Sequence, residues 1–140
     1  MLIDKLLQLS DRQVVSATAA STHEIDLGQA NPNLGLAGQR LYMVVTVAEA
    51  AAGAGKMAFA VQHSDNAGSG YADALVSEKV AAADLKAGAQ VVVPMPVLHK
   101  RFVRLNYVAD GAVGNGKFSA QIVAGLQANT PPADSPRARV

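Results

Sequence analysis

Between Lys100 and Val108 the chain reads Lys-Arg-Phe-Val-Arg-Leu-Asn-Tyr-Val, and side-chain character alternates there with a period of two. In an extended strand, Val103, Leu105 and Tyr107 share one face, and Phe102, Arg104, Asn106 and Val108 the other, because successive Cβ atoms point to opposite sides. A helix would scatter both sets around its circumference. The stretch is therefore predicted to be a strand with its Val103 face in a core. Val91-Val92-Val93, halted by Pro94 and Pro96, precedes it, and a glycine-rich turn over residues 110–116 follows.

The same grammar of short apolar runs and turn formers continues along the chain. Strands are expected over 13–18, 23–27, 40–47, 56–62, 75–80, 90–93 and 117–124, with Leu41, Met43, Val45 and Val47 inward, then Met57, Phe59 and Val61, then Phe118, Ala120 and Ile122. Both faces of 40–47 are fairly apolar, which implies a central strand or a covered outer face. The 40–47 and 56–62 strands either form a hairpin or face each other across a sandwich. Residues 31–38 and 66–70 are dense in turn formers, and Asn115-Gly116 is a hairpin signal. One or two helical turns fit 81–87, ended by Gly88. Residues 2–9 carry Leu2, Leu6 and Leu9 at helix-like spacing, but a segment so short is marginal alone and serves equally as a docking arm.

About eight strands at near-regular spacing, with almost no sustained helix, point to an all-β fold: an antiparallel jelly-roll sandwich. One domain over residues 1–126 is expected, with an N-terminal arm over 1–11. A shift to proline, arginine and small polar residues marks 127–140 as an extended or disordered tail.

A net charge of +1 offers no clustered basic field for nucleic acid or a membrane surface, so neither is an expected partner. No apolar run approaches the roughly 20 residues of a membrane span, and the early Asp4 breaks the order of a signal peptide; a soluble, unprocessed chain is expected. The absence of cysteine removes thiolate chemistry and disulfides, so stability must come from packing or partners.

Several stretches approach known chemical motifs. Gly111 to Lys117 matches the spacing of a phosphate-binding loop, but Phe118 stands where the magnesium-binding hydroxyl belongs, and a strand follows where a helix N-terminus is needed. Gly53-Ala54-Gly55-Lys56 fails likewise. His63, Ser64 and Asp65 are adjacent, and neighbours in a strand face opposite ways, so a turn-facing polar cluster is expected in place of a triad. His23 and His99 read as exposed strand ends. Asp26, Asp65, Asp73 and Asp84 lie in separate segments and make no carboxylate pair by themselves. No catalytic, cofactor-binding or metal-binding residue is expected, and the chain is not expected to be an enzyme. Arg101, Arg104, Arg137 and Arg139 are the only basic accumulation, read as solvated edge charges or as protein–protein ion pairs.

The opening Met1 to Leu7, the Ser10-Asp11 to Thr22 segment, Ile25-Asp26-Leu27-Gly28 and above all Arg101 to Tyr107 resemble the capsid cement, or decoration, proteins of tailed bacteriophages. The resemblance covers most of residues 1–127. It implies a virion structural protein on the outer capsid surface, made in the host bacterial cytoplasm, that forms a homodimer and bridges subunits of the major capsid protein. It supplies no catalytic residue. Dimer or capsid contacts are expected at Leu2, Leu6 and Leu7 of the arm, at Asn33 and Tyr71 in loops, at Arg101 and Arg104, and at Arg137 and Arg139 of the tail. A glycan-binding jelly-roll module or tail-fibre accessory is the competing reading. Against it, the chain has no tryptophan and only three tyrosines from which to build sugar platforms.

Overall fold

The computed structural model describes residues 3–34 and 38–126. The expected tail over 127–140, with Arg137 and Arg139, lies outside these residues, as do Leu2 and part of the 31–38 loop.

The described residues form ten strands: β1 (Gln8–Val15), β2 (Ala19–Ala20), β3 (Ile25–Asp26), β4 (Tyr42–Glu49), β5 (Lys56–Ser64), β6 (Ala72–Val76), β7 (Val80–Ala81), β8 (Gln90–Pro94), β9 (Phe102–Asp110) and β10 (Gly116–Val123). They build two antiparallel sheets. One runs β1-β10-β4-β8; the other runs β2-β9-β5-β6, with β3 also on β9 and β7 also on β5. Ten strands replace the expected eight because both margins of the second sheet are broken into two short pieces. Short 3-10 turns flank the strands at Lys5–Leu7, before β1, and at Ala82–Asp84, after β7.

Between the sheets sits a core set by the period-two faces. Val103, Leu105 and Tyr107 of β9 are fully buried, as are Met57, Phe59 and Val61 of β5 and Met43, Val45 and Val47 of β4. Phe59, Tyr107 and Phe118 meet at its centre, Phe59–Tyr107 edge-on at 5.9 Å and Tyr107–Phe118 at 5.6 Å between ring centroids. Such aromatic pairs add about 0.5–1.5 kcal/mol each beyond their burial. The Tyr107 hydroxyl donates to Ser10 Oγ at 3.0 Å, which satisfies the one polar group of the trio. Burial pushes that phenol up to about 12. β4 is central in its sheet, one of the two placements its apolar faces implied, and the outward Val44 is fully buried too.

Several boundaries differ from the sequence reading. The first strand begins at Gln8, inside the residues assigned to an arm; two register shifts against β10 and a positive φ at Arg12 break its alternation. Asn115-Gly116 does not close a hairpin: β9 and β10 belong to different sheets, and the connection crosses between them. β4 and β5 likewise face each other across the sandwich. The two glycine-rich loops whose spacing approaches a phosphate cradle pack on each other, Gly55 N–H donating to Ala112 O at 2.8 Å. A Cβ at Gly55 would lie 2.7 Å from that same oxygen, so backbone contact, not an anion, demands the glycine.

Candidate contact surface

Arg104 leaves β9 on the side away from the core, directly opposite Gln62 of β5. Its Nε donates to Gln62 Oε1 at 2.8 Å, and its guanidinium lies over the Tyr71 ring, 4.0 Å from the centroid. Gln62 Nε2 donates in turn to Asp73 Oδ1 at 2.8 Å. The Tyr71 hydroxyl donates to Glu24 Oε2, an oxygen that also accepts Gly68 N–H at 3.0 Å. Burial and the Glu24 carboxylate hold the Tyr71 phenol well above its ordinary range, so it stays a neutral donor. β9, β5, the residue before β3, the 66–70 turn and the start of β6 are thereby tied into one polar–aromatic face. A stacked, hydrogen-bonded arginine has lost side-chain freedom before any partner arrives, which lowers the cost of using it in a contact.

Arg101 stands just before β9 and forms a fork to Asp26, Nε to Oδ1 at 2.7 Å and Nη2 to Oδ2 at 2.9 Å. Asp26 Oδ1 also accepts Gly28 N–H at 2.8 Å. The Arg101 hydrogen bond, then that of Gly28, hold the Asp26 carboxyl at about 2. The pair is exposed, and isolated surface pairs add little stability, so its role is to fix the arginine in place.

A third cluster adjoins these at the same end of the second sheet. Asn33 Oδ1 accepts His99 N–H at 3.0 Å, and Leu34 N–H donates to His99 Nε2 at 3.2 Å. Nε2 being an acceptor, Nδ1 carries the proton and donates to Lys100 O at 3.1 Å. His99 is therefore no exposed strand end: it is 3% exposed, locking the 31–34 loop to the segment before β9. His63 Nδ1 accepts Lys100 N–H at 3.3 Å, while burial, then Lys100 and His99, hold this imidazole below its ordinary range. Ser64 Oγ donates to Ser69 O at 2.5 Å and accepts Asn66 N–H, committing the hydroxyl to the turn. Of the three adjacent residues only Ser64 faces the turn; His63 and Asp65 turn to Lys100, whose Nζ donates to Asp65 Oδ2 at 2.6 Å. Asn31, Asn33, His63, Leu98, His99 and Lys100 line a shallow groove of about 360 Å³ here.

Four expected contact residues, Asn33, Tyr71, Arg101 and Arg104, therefore gather at one end of one sheet. Leu6 and Leu7 lie elsewhere, on the 3-10 turn beside β10, where Asp4 Oδ1 caps Leu6 N–H at 2.9 Å. Leu7 packs against the core; Leu6 is 84% exposed. Glu24, Gln62 and Asp73 were missed as partners. Gln62 had a signal, its outward parity in β5, but only the strand register puts it opposite Arg104.

Sequence reasoning also missed an apolar groove of about 400 Å³ on the side of the sandwich where β8 and the β6–β7 margin meet. Leu75, Val76, Val80 and Val92 are among its lining residues. Among the described residues, no group of three or more histidine, aspartate or glutamate side chains could hold a metal ion, and no helix is long and apolar enough to cross a membrane.

Compared with known proteins, residues 9–122 match the family model Bbp16, a name taken from a Bordetella phage protein. No curated protein matches this sequence.

Proposed function

The chain belongs to the Bbp16 family, which makes it phage-related, and we propose that it is a capsid cement protein: a dimer on the outer surface of the head that bridges major capsid subunits. The observation that carries this reading is the family match across both sheets, joined to the resemblance of Arg101 to Tyr107 to phage cement proteins. The face built on that strand supports it. Arg104, Tyr71 and Arg101 are held in fixed poses by neighbours, as a protein docking in many identical copies requires. Multivalent placement on a lattice makes a modest contact per copy sufficient. Leu6 would supply an apolar contact beside β10, while the further proposed contacts Leu2, Arg137 and Arg139 lie outside the described residues. On this reading the chain is not an enzyme and needs no cofactor, no nucleic acid and no membrane.

The strand orders also support a jelly roll. If β2 joins β3 and β6 joins β7 as interrupted strands, eight remain, and the sheets run first-eighth-third-sixth and second-seventh-fourth-fifth. Two interleaved Greek keys give that order.

Stripping the protein from heads and following DNA release on heating tests the function. Release at lower temperature, restored by adding the purified chain back, is expected. Release unchanged by stripping would remove the cement reading.

A further inference from the structure

A sheet edge offers unpaired N–H and C=O groups to any passing strand, and natural proteins blunt such edges with charge, bulges or brevity. Three edges of this sandwich are blunted. β1 carries Asp11 and Arg12 and two register shifts; β2 and β3 are two residues each; β6 carries Asp73 and a register shift, and β7 is two residues long. β8 has no charge and no register shift, and its one blunting residue, Pro94, stands at its end. It reads Gln-Val-Val-Val-Pro, without a charge, and pairs with β4 in unbroken register. Among the described residues, no strand pairs with its other side.

The groups on that side can be read from the ladder. Met95 N–H donates to Leu41 O, and Ala89 O accepts Val47 N–H, so the odd-numbered residues of this segment bond to β4. Antiparallel residues alternate. Gln90 and Val92 therefore turn both backbone groups outward, and Pro94 turns out a carbonyl alone. Val92 is the centre of this pattern, and its side chain is 40% exposed on the outer face.

We infer that the free edge of β8 is where a second copy of this chain docks, β8 against β8 in antiparallel pairing about a two-fold axis at Val92. The inference rests on the proposal that the chain self-associates, and it names the surface. In that register Val92 exchanges both hydrogen bonds with the second copy's Val92, and each Gln90 N–H meets a Pro94 carbonyl. Every outward N–H is used, and β8 overlays its copy along its full length, Gln90 to Pro94. A closed two-fold interface needs one self-complementary patch, and an uncharged edge does not repel its own copy. The neighbouring apolar groove, with Leu75, Val76 and Val80, continues the surface beyond the strand.

The test is sedimentation of the full chain free of capsid. Wild type is expected as a dimer at micromolar concentration. Val92→Pro removes only the outward donor, leaving the β4 ladder intact, and is expected to give monomer with an unchanged far-UV circular dichroism spectrum. Val92→Lys sets two ammonium groups at the axis and is expected to do the same. Because the chain has no cysteine, Val92→Cys gives an independent readout. Opposed residues at such a position lie about 5.5 Å apart, within disulfide reach, so oxidation should produce covalent dimers, with none for Val14→Cys on β1. Monomeric wild type, dimers that survive both Val92 variants, or no cross-link through Cys at position 92 would each overturn the inference. Heads that still lose stability when stripped would leave the cement function standing after such a failure, which separates the two.

Discussion

β1 and β8 close opposite ends of the same sheet, yet the molecule treats them differently. β1 is stapled across the sandwich. His23 N–H donates to Leu9 O at 2.9 Å, Gln13 Nε2 donates to Ala20 O at 2.8 Å, and Gln13 Oε1 accepts from Ser10 Oγ and from Thr22 N–H. Behind them the buried Tyr107 hydroxyl anchors Ser10. β8 has a clean ladder to β4 and then an apolar groove. The bulges that twist β1 let it bond to the β2 side, whereas the regularity of β8 leaves its outer groups parallel and available. A closed margin stabilises one chain; an open one invites a partner.

The largest expected effect lies under both margins. Phe118→Ala empties the centre of the core and should cost about 3–5 kcal/mol in denaturant unfolding, weakening the two ends of the sheet together. Equal loss of amide protection in β1 and β8 is the expected hydrogen-exchange result; loss confined to one would show that the margins fold separately.

Gln13→Ala should cost about 1–3 kcal/mol, since it removes a partner of the buried Ser10 and of the Ala20 carbonyl and unties Thr22, and its damage should stay on the β1 side. Protection in β8 that falls as far as in β1 would contradict the staple. Tyr107→Phe removes one hydroxyl and leaves Ser10 bonded to Gln13, so about 0.5–1.5 kcal/mol is expected from the same melts.

How much of this was legible in the sequence depended on whether alternation survived. β9 could be read residue by residue, because Val103, Leu105 and Tyr107 keep strict parity against polar neighbours. β1 could not: its bulges put Leu9 and Ser10, adjacent residues, both inside, and Arg12 takes a positive φ. Ala19–Ala20 is too short and too small to carry a pattern. Asn115-Gly116 misled because a hairpin signal describes the turn and says nothing of which sheet the next strand joins. The contact surface was half legible. Arg104 and Tyr71 were picked out singly, but their stacking depends on the β5–β6 and β5–β9 registers, and His99 was misplaced because its burial comes from the distant Asn33 loop. The free edge of β8 was invisible, since an edge is a property of the sheet and not of the strand.

The smallest effect is at the Arg101 end of the contact face. An aspartate whose folded pKa is depressed contributes above its unfolded value of about 3.9 and loses that contribution as pH falls through the folded one. For Asp26 the window runs down to about 2. Arg101→Ala should raise the Asp26 carboxyl titration, read by NMR, toward the ordinary range while leaving both sheet margins unchanged. A titration that stays near its original position would show that Gly28 N–H alone sets it.

The most direct measurement is a map of intact heads that resolves this chain. Expected is density on the outer capsid surface as two-fold pairs joined at β8, with the Arg101–Arg104–Tyr71 face against major capsid subunits. Density confined to the tail, or absent from the head, would contradict it.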